Sequence, residues 1–235
     1  PEWKVPTPGR FDFLGALVLS VALASLLLGI SKGGSWGWGS GRTIGCFVLA
    51  AAVLAVWVPY QLRVKDPMVN LRTSARRPVL LTNLASMIVG FAMFANMLST
   101  TQQLQMPEGT GYGFGLSVFT AGLCMVPAGL SMVVFSPLSA KITTRFGARI
   151  TLITGALILA VAYVFRVLFN GSIEVIVLGS MMVNIGTAIT YSAMPILIMQ
   201  SVPIAETAAS NGLNSLLRSI GTSTSSAVVT ALLTA

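Results

Sequence analysis

The amino-acid sequence predicts an all-helical bundle that crosses a membrane about seven times. Charged residues make up only 9% of the 235-residue chain, whereas ordinary soluble domains carry roughly 25%. About seven apolar stretches each reach the roughly 20 residues that a helix needs to cross a bilayer. Hydrocarbon offers no partner for bare backbone groups, and these stretches are too long for barrel strands. Each stretch is therefore predicted to be a helix.

The predicted spans follow one another with short connections. They cover residues 11–30, 43–62, 79–101, 114–138, 150–169, 173–199 and 207–234. The last span is the least apolar, because Asn211, Asn214 and Arg218 interrupt its first half. Pro127 and Pro195 lie inside the fourth and sixth spans, where the missing backbone hydrogen bond favours a kink.

The connections carry positive charge on alternate sides of the membrane. The side that holds the N-terminus has ten basic residues, and the other side has only Lys32 and Arg42. The ten are Lys4, Arg10, Arg63, Lys65, Arg72, Arg76, Arg77, Lys141, Arg145 and Arg149. Lysine and arginine are enriched in cytoplasmic loops. We therefore predict a multi-pass protein of the plasma (inner) membrane with a cytoplasmic N-terminus, and this topology explains the net charge of +8 without a nucleic-acid partner.

The composition argues against an enzyme. The chain has no histidine, which excludes His-based catalytic triads and the usual zinc sites. No carboxylate lies in the middle of a span, because Asp12, Glu174 and Glu206 are all close to span ends. Cys46 and Cys124 lie in separate spans and are expected to be free thiols. We expect no catalytic residues, no cofactor and no metal.

Residues 63–78 form the longest basic connection and the best internal boundary. They separate a cytoplasmic N-terminal segment with two peripheral spans, 1–62, from a bundle of five spans, 79–235. The first two spans have few polar residues, whereas the third, sixth and seventh have several, so we expect the later spans to line a path. The chain starts at Pro1 and stops at Ala235 inside an apolar span, so we expect a piece of a longer membrane protein.

The connection 31–42 is rich in glycine and contains Trp36 and Trp38. Tryptophan rings favour the headgroup region of a bilayer. We interpret this connection as an interfacial anchor, and a gate for substrate on the outer side is the alternative.

The connection after the fourth span, AKITTRFGAR from Ala140 to Arg149, carries a recognisable pattern. It resembles the Gly-x-Leu-Ala-Asp-Arg-x-Gly-Arg loop of the major facilitator superfamily, which joins the second and third helices of each six-helix half. Ala140 replaces the first glycine of that loop, and Thr144 replaces its aspartate. The resemblance implies a partial major-facilitator fold in which residues 79–235 supply five of the six helices of the C-terminal half.

Three further stretches resemble the 14-span drug:proton antiporters of that superfamily: residues 66–78, 111–127 and 208–221. The two peripheral spans match the extra central helix pair of those antiporters. The resemblance implies a proton-coupled multidrug efflux antiporter that works by alternating access. Its implied partners are a small amphipathic or apolar substrate, protons, the lipid bilayer and the missing N-terminal half of the same protein.

Three alternatives remain open at this point. The first is an exporter of one specific metabolite or lipid. The second is a membrane fragment that does not transport, and the third is a membrane-embedded enzyme, which the absence of histidine and of mid-span carboxylates disfavours.

Polar residues at helical spacing identify the predicted substrate path. The sixth span places Ser180, Asn184, Thr187 and Tyr191 on one helical stripe, and the third places Asn96, Thr100 and Gln103 on another. Polar groups are costly in lipid, so these stripes should face protein or water. Hydrogen bonding between helices is the alternative.

The remaining candidate site residues are arginines or lie close to arginines in the sequence. Arg218 lies within the seventh span, where it either contacts a carboxylate of the missing half, forms a gate or reaches the headgroups. The predicted cytoplasmic gating loop consists of Ile142, Thr144, Arg145, Gly147 and Arg149. Its two arginines are expected at the cytoplasmic mouth of the path, and attraction to lipid headgroups is the alternative. Arg166 lies near the outer end of the fifth span and is expected to extend towards water.

Overall fold

A computed structural model describes residues 12–65 and 67–234 of the chain. Every regular element within these ranges is helical. The α-helices are α1 (Phe13–Trp36), α2 (Gly41–Arg63), α3 (Leu71–Ser74), α4 (Arg77–Gln105), α5 (Val118–Phe146), α6 (Ala148–Leu168), α7 (Ile173–Ser201) and α8 (Thr207–Thr234). Two single turns of 3-10 helix, Glu108–Thr110 and Ile204–Glu206, lie before α5 and α8. The predictions that involve Lys4, Arg10 and Asp66 fall outside the described residues.

The all-helical membrane fold predicted from the sequence is confirmed. Six helices, α1, α2, α4, α5, α6 and α7, are long and apolar enough to cross a membrane. Helix α8 corresponds to the last predicted span and has 28 residues. Because it contains many polar residues, α8 is not among the six helices that are apolar enough to cross a membrane.

The connection between α1 and α2 is shorter than the prediction of 31–42. Helix α1 continues to Trp36, because a glycine in its last turns lets a tryptophan ring pack closely. A Cβ atom at Gly33 would lie 2.7 Å from Cε3 of Trp38, a distance that side chains do not tolerate. The helix ends at Gly37, whose φ of 86° is accessible to glycine at little cost.

Helix α5 begins at Val118, whereas the sequence predicts a start at residue 114. The residues before it pair with the end of α4 and so cannot join the helix. Three backbone N–H groups donate to carbonyls at 2.7 to 3.3 Å: Phe114 to Gln103, Gly115 to Met106 and Leu116 to Leu104. Ser117 then caps α5, because its hydroxyl accepts from the N–H of Thr120 at 3.2 Å.

The described residues form two compact units. The first contains residues 12–87, apart from residue 66, together with 198–234, and the second contains residues 88–197. The division passes through α4 and α7. The predicted boundary at 63–78 lies inside the first unit, because α1 packs against both α2 and α8. The predicted division into 1–62, 63–78 and 79–235 follows the order of the spans along the chain, and it stays a prediction.

In the first unit, hydrogen bonds join the start of α1 to the end of α2. The Asp12 carboxylate accepts from the N–H of Gly15 at 2.8 Å, from the amide of Gln61 at 2.7 Å and from the hydroxyl of Tyr60 at 3.1 Å. The indole of Trp57 donates to the carbonyl of Gly15 at 2.8 Å. Burial raises the pKa of Asp12, but these donors outweigh burial and hold the pKa below its ordinary value.

An apolar core lies beside this contact. Leu19, Trp57 and Val69 are buried together, and Leu213 and Leu216 of α8 pack against them. Of the two helices that the sequence predicts to be peripheral, α1 packs against α8, and α2 joins the same apolar core through Trp57.

Candidate functional site

Three of the predicted path residues meet in the second unit. Asn96 and Thr100 on α4 and Ser180 on α7 are at most 2% exposed. The hydroxyls of Thr100 and Ser180 lie 3.0 Å apart, and the Ser180 hydroxyl donates to Oδ1 of Asn96 at 3.4 Å. The two predicted stripes therefore touch each other at one end of α4 and α7.

The fourth member of this polar cluster is Arg166, which the sequence analysis placed elsewhere. The prediction that Arg166 extends towards water is wrong, because its guanidinium donates to Oδ1 of Asn96. Room for the side chain comes from Gly179 on α7, where a Cβ atom would lie 2.6 Å from Cγ of Arg166. One turn earlier on α6, the hydroxyl of Tyr163 donates to the carbonyl of Ala92. Helix α6 therefore makes two polar contacts with α4.

An apolar cluster lies about one helical turn beyond these polar residues. Leu104, Ala121 and Ile176 are nearly inaccessible to solvent. Phe114 and Leu116, from the connection that pairs with the end of α4, pack against this cluster. Apolar side chains and a hydrogen-bonded connection therefore close this end of the second unit.

The rest of the predicted path is less tightly connected. Thr187 is buried and its hydroxyl donates to the carbonyl of Val183 within α7 at 2.8 Å. Asn184 and Tyr191 are half-buried on the same helix. Gln103 is half-buried, and in the part of the chain that the structure describes no hydrogen bond joins the side chains of Gln103 or Asn184 to the polar cluster. The role of this whole set in a substrate path stays a prediction.

The predicted gating loop is not a loop. Ile142, Thr144 and Arg145 belong to the last turns of α5, and Arg149 belongs to the first turn of α6. Only Gly147 separates the two helices, with φ 86° and ψ 159°, a conformation that is nearly confined to glycine. Long polar side chains are compatible with a helix end, so their presence did not require an extended connection.

The charged and polar groups at this turn have defined surroundings. Thr144 is exposed and its hydroxyl bonds back to the carbonyls of Ala140 and Lys141 at 3.0 and 3.1 Å. Arg145 lies over the ring of Phe146, with its guanidinium carbon 5.4 Å from the ring centroid. Arg145 and Arg149 are exposed, as residues at a membrane surface would be.

The first unit contains a second polar cluster, between α4 and α8. The amide of Asn214 donates to Oδ1 of Asn83 at 3.0 Å and to the carbonyl of Thr82 at 3.4 Å. The hydroxyl of Ser86 donates to the carbonyl of Asn214 at 3.2 Å. Arg218, one turn further along α8, is half-buried and donates to the hydroxyl of Ser215 at 3.0 Å.

These observations define a polytopic helical membrane protein whose polar residues are buried between helices. Among residues 12–65 and 67–234, no three His, Cys, Asp or Glu side chains are grouped closely enough to hold a metal ion. Residues 11–226 match the family model of the Major Facilitator Superfamily. The chain belongs to that superfamily, which confirms the family suggested by the sequence motifs.

Several curated proteins are similar to the chain. The multidrug resistance protein Stp of Mycobacterium tuberculosis is 27% identical over 227 residues, which are 96% of this chain and 41% of Stp. The uncharacterized MFS-type transporter YhcA of Bacillus subtilis is 30% identical over 156 residues, or 66% of this chain and 28% of YhcA. The tetracenomycin C resistance and export protein of Streptomyces glaucescens is 28% identical over 153 residues, or 65% and 27% of the two chains. The chain spans between about a quarter and two fifths of the length of these relatives.

Proposed function

We propose that this chain forms part of a proton-coupled efflux antiporter for small amphipathic or apolar compounds. Family membership makes it a piece of a membrane transporter. The observation that carries the finer proposal is that similar proteins over most of the chain are named for drug resistance or export. The absence of histidine and of mid-span carboxylates fits a protein that moves a solute without changing it.

Buried polar residues support a transport path along α4 and α7. A buried polar group in a membrane protein is costly unless it is bonded or serves a pathway. Asn184 and Tyr191 are half-buried on the same stripe as Ser180 and Thr187, so they are the residues that we propose contact substrate. The apolar cluster around Leu104 would close the outer end of the path in this conformation, and alternating access would open it.

The proposed orientation places the N-terminus of the chain in the cytoplasm of the plasma membrane. The described basic residues on that side are exposed. They are Arg63, Lys65, Arg72, Arg76, Arg77, Lys141, Arg145 and Arg149. Their excess over the two basic residues on the opposite side supports this orientation.

Proton coupling needs an ionisable group whose pKa changes with conformation. The sequence offers no carboxylate in the middle of a span. We propose that the coupling carboxylate lies in the N-terminal half of a full-length 14-span protein, opposite α4 and α7.

Efflux from whole cells tests this proposal. Cells that express the full-length protein are loaded with ethidium, and its loss is followed by fluorescence with and without a protonophore. We expect protonophore-sensitive efflux that Asn184→Leu or Tyr191→Leu reduces at equal expression. Ser20→Leu is the matched control, because Ser20 is exposed on α1 and its hydroxyl donates to the carbonyl of Ala16 in the same helix. Efflux that both path variants leave unchanged would contradict a path along α7.

A single-compound exporter is the second candidate. One relative is named for resistance to and export of tetracenomycin C alone. A well-expressed, folded protein that does not move ethidium or similar dyes would favour this candidate. The search would then move to individual metabolites and lipids.

A further inference from the structure

Arg166 is a charged residue held inward by its surroundings. It lies in the last turn of α6, whose other residues are mostly apolar. Its side chain crosses α7 at Gly179, where even a methyl group would collide with the arginine stem. The guanidinium then reaches Asn96 on α4, which is 2% exposed. Three helices therefore contribute to the position of this one charge.

No carboxylate within the described residues balances this charge. Glu108 and Glu174, the acidic residues of the second unit, are exposed, and among the described residues the ionisable group beside Arg166 is Tyr163. The C-terminal end of α6 offers a partial negative charge. That partial charge is weaker than a counter-ion, and a partly desolvated guanidinium without a counter-ion is destabilising.

The hydrogen-bonding groups around Arg166 contain more donors than acceptors. A guanidinium has five N–H donors, and Asn96 Oδ1 is the acceptor that it reaches among the described residues. That same oxygen also accepts from Ser180, whose hydroxyl is shared with Thr100. The cluster therefore lacks a negatively charged group with two or more oxygens.

We propose that Arg166, Asn96 and Ser180 form a binding site for one oxyanion, a carboxylate or a phosphate ester. Arginine binds such groups through two parallel N–H donors, and the Arg166 side chain is half-buried rather than fully enclosed. The oxyanion belongs either to an anionic lipid headgroup or to a small acidic solute. This inference does not depend on drug efflux, because the site is defined by a charge and its donors within one unit.

Thermal unfolding of the purified full-length protein tests the site. The probes are short-chain phosphatidylglycerol for the lipid source and benzoate for the solute source, each compared with chloride at equal ionic strength. We expect one probe to raise the unfolding temperature of the wild type. Arg166→Gln should need at least about tenfold more probe for the same shift, since it loses charge-assisted hydrogen bonds. Arg42→Gln is the matched control, because Arg42 is exposed at the start of α2.

Asn96→Asp keeps the proposal testable if Arg166→Gln does not fold. The new carboxylate supplies the counter-ion from within the protein, so the variant should unfold at a higher temperature than the wild type without any probe. It should also lose the response to the probe. Phosphatidylglycerol acting alone assigns the site to lipid, and an equal effect of benzoate assigns it to a solute.

Two results would overturn the proposal: no shift of the wild type with either probe, or an undiminished shift in Arg166→Gln or Asn96→Asp. Both measurements are made without transport. A failure here leaves the efflux proposal standing, and a failure of efflux leaves this site standing.

Discussion

The crossing of α6 and α7 depends on two glycines, and replacing one of them is the sharpest test of the packing. A Cβ atom at Gly155 would lie 2.8 Å from the backbone nitrogen of Thr190 and 3.0 Å from the carbonyl oxygen of Gly186. The reverse contact is equally close, since a Cβ at Gly186 would lie 3.0 Å from the carbonyl oxygen of Gly155. These obstacles are backbone atoms of a helix, so they cannot rotate away.

The expected change in the free energy of unfolding follows from two opposing effects of Gly155→Ala. Alanine favours a helix by about 1 kcal/mol over glycine, whereas overpacking a closely packed site costs about 1–3 kcal/mol. Gly129→Ala on α5 is the matched control, because nothing lies within 4 Å of its Cβ position. The helix preference is common to both variants and cancels in the comparison. The two variants should therefore differ in stability by the overpacking cost, about 1–3 kcal/mol.

The assay is reversible unfolding of the purified full-length protein in detergent, followed by tryptophan fluorescence. Gly129→Ala should equal or exceed the wild type in free energy of unfolding, and Gly155→Ala should fall below Gly129→Ala. Equal stability of the two alanine variants would refute the close crossing of α6 and α7.

Three other predictions use the same unfolding assay. Gly147→Ala should lose about 1–3 kcal/mol, because its φ of 86° is strained for alanine although open space surrounds it; no loss would contradict the one-residue turn between α5 and α6. Asn214→Leu should lose about 1–3 kcal/mol by leaving Asn83 without its donor, and adding Asn83→Leu should cost less than the sum of the single changes; simple additivity would contradict a direct bond. The wild type should be more stable than Asp12→Asn at neutral pH. That advantage should shrink as the pH falls below the ordinary value of 3.8, because a pKa lowered by folding stabilises only while the carboxylate is ionised; a pH-independent difference would contradict the ionised contact.

The helices could be predicted from the sequence because each apolar run is long and continuous. The errors lie at helix ends. Gly33 stays helical because it accommodates Trp38, and residues 114–116 leave the helix because they bond to the end of α4. Both outcomes depend on contacts between segments, which hydropathy along the chain does not record.

The polar cluster was predictable in part. Asn96, Thr100 and Ser180 stand out because polar residues repeat at helical spacing in apolar spans. Arg166 was assigned to water because it lies near the end of α6, and its real partner depends on how three helices pack. Two signals could have pointed to it: an arginine inside an apolar span is functional by default, and Gly179 on the facing helix leaves room for a long side chain.

The second cluster was harder to predict. Asn214 is recognisable from the sequence, but its partners Asn83 and Ser86 lie near the start of α4, away from the stripe at the other end of that helix. Polar residues near a span end are usually attributed to the headgroup region. Only the packing of α4 against α8 shows that Asn83 is buried, at 2% exposure.

If substrate leaves in exchange for protons, its transport must move protons across the membrane, and everted membrane vesicles make that proton movement measurable. Vesicles that contain the full-length protein are energised until a pH-sensitive dye is quenched, and ethidium is then added. We expect ethidium to restore the dye fluorescence, because its transport releases protons from the vesicles. Asn184→Leu should weaken this response, and Ser20→Leu should not. Ethidium transport that leaves the dye quenched would contradict proton coupling.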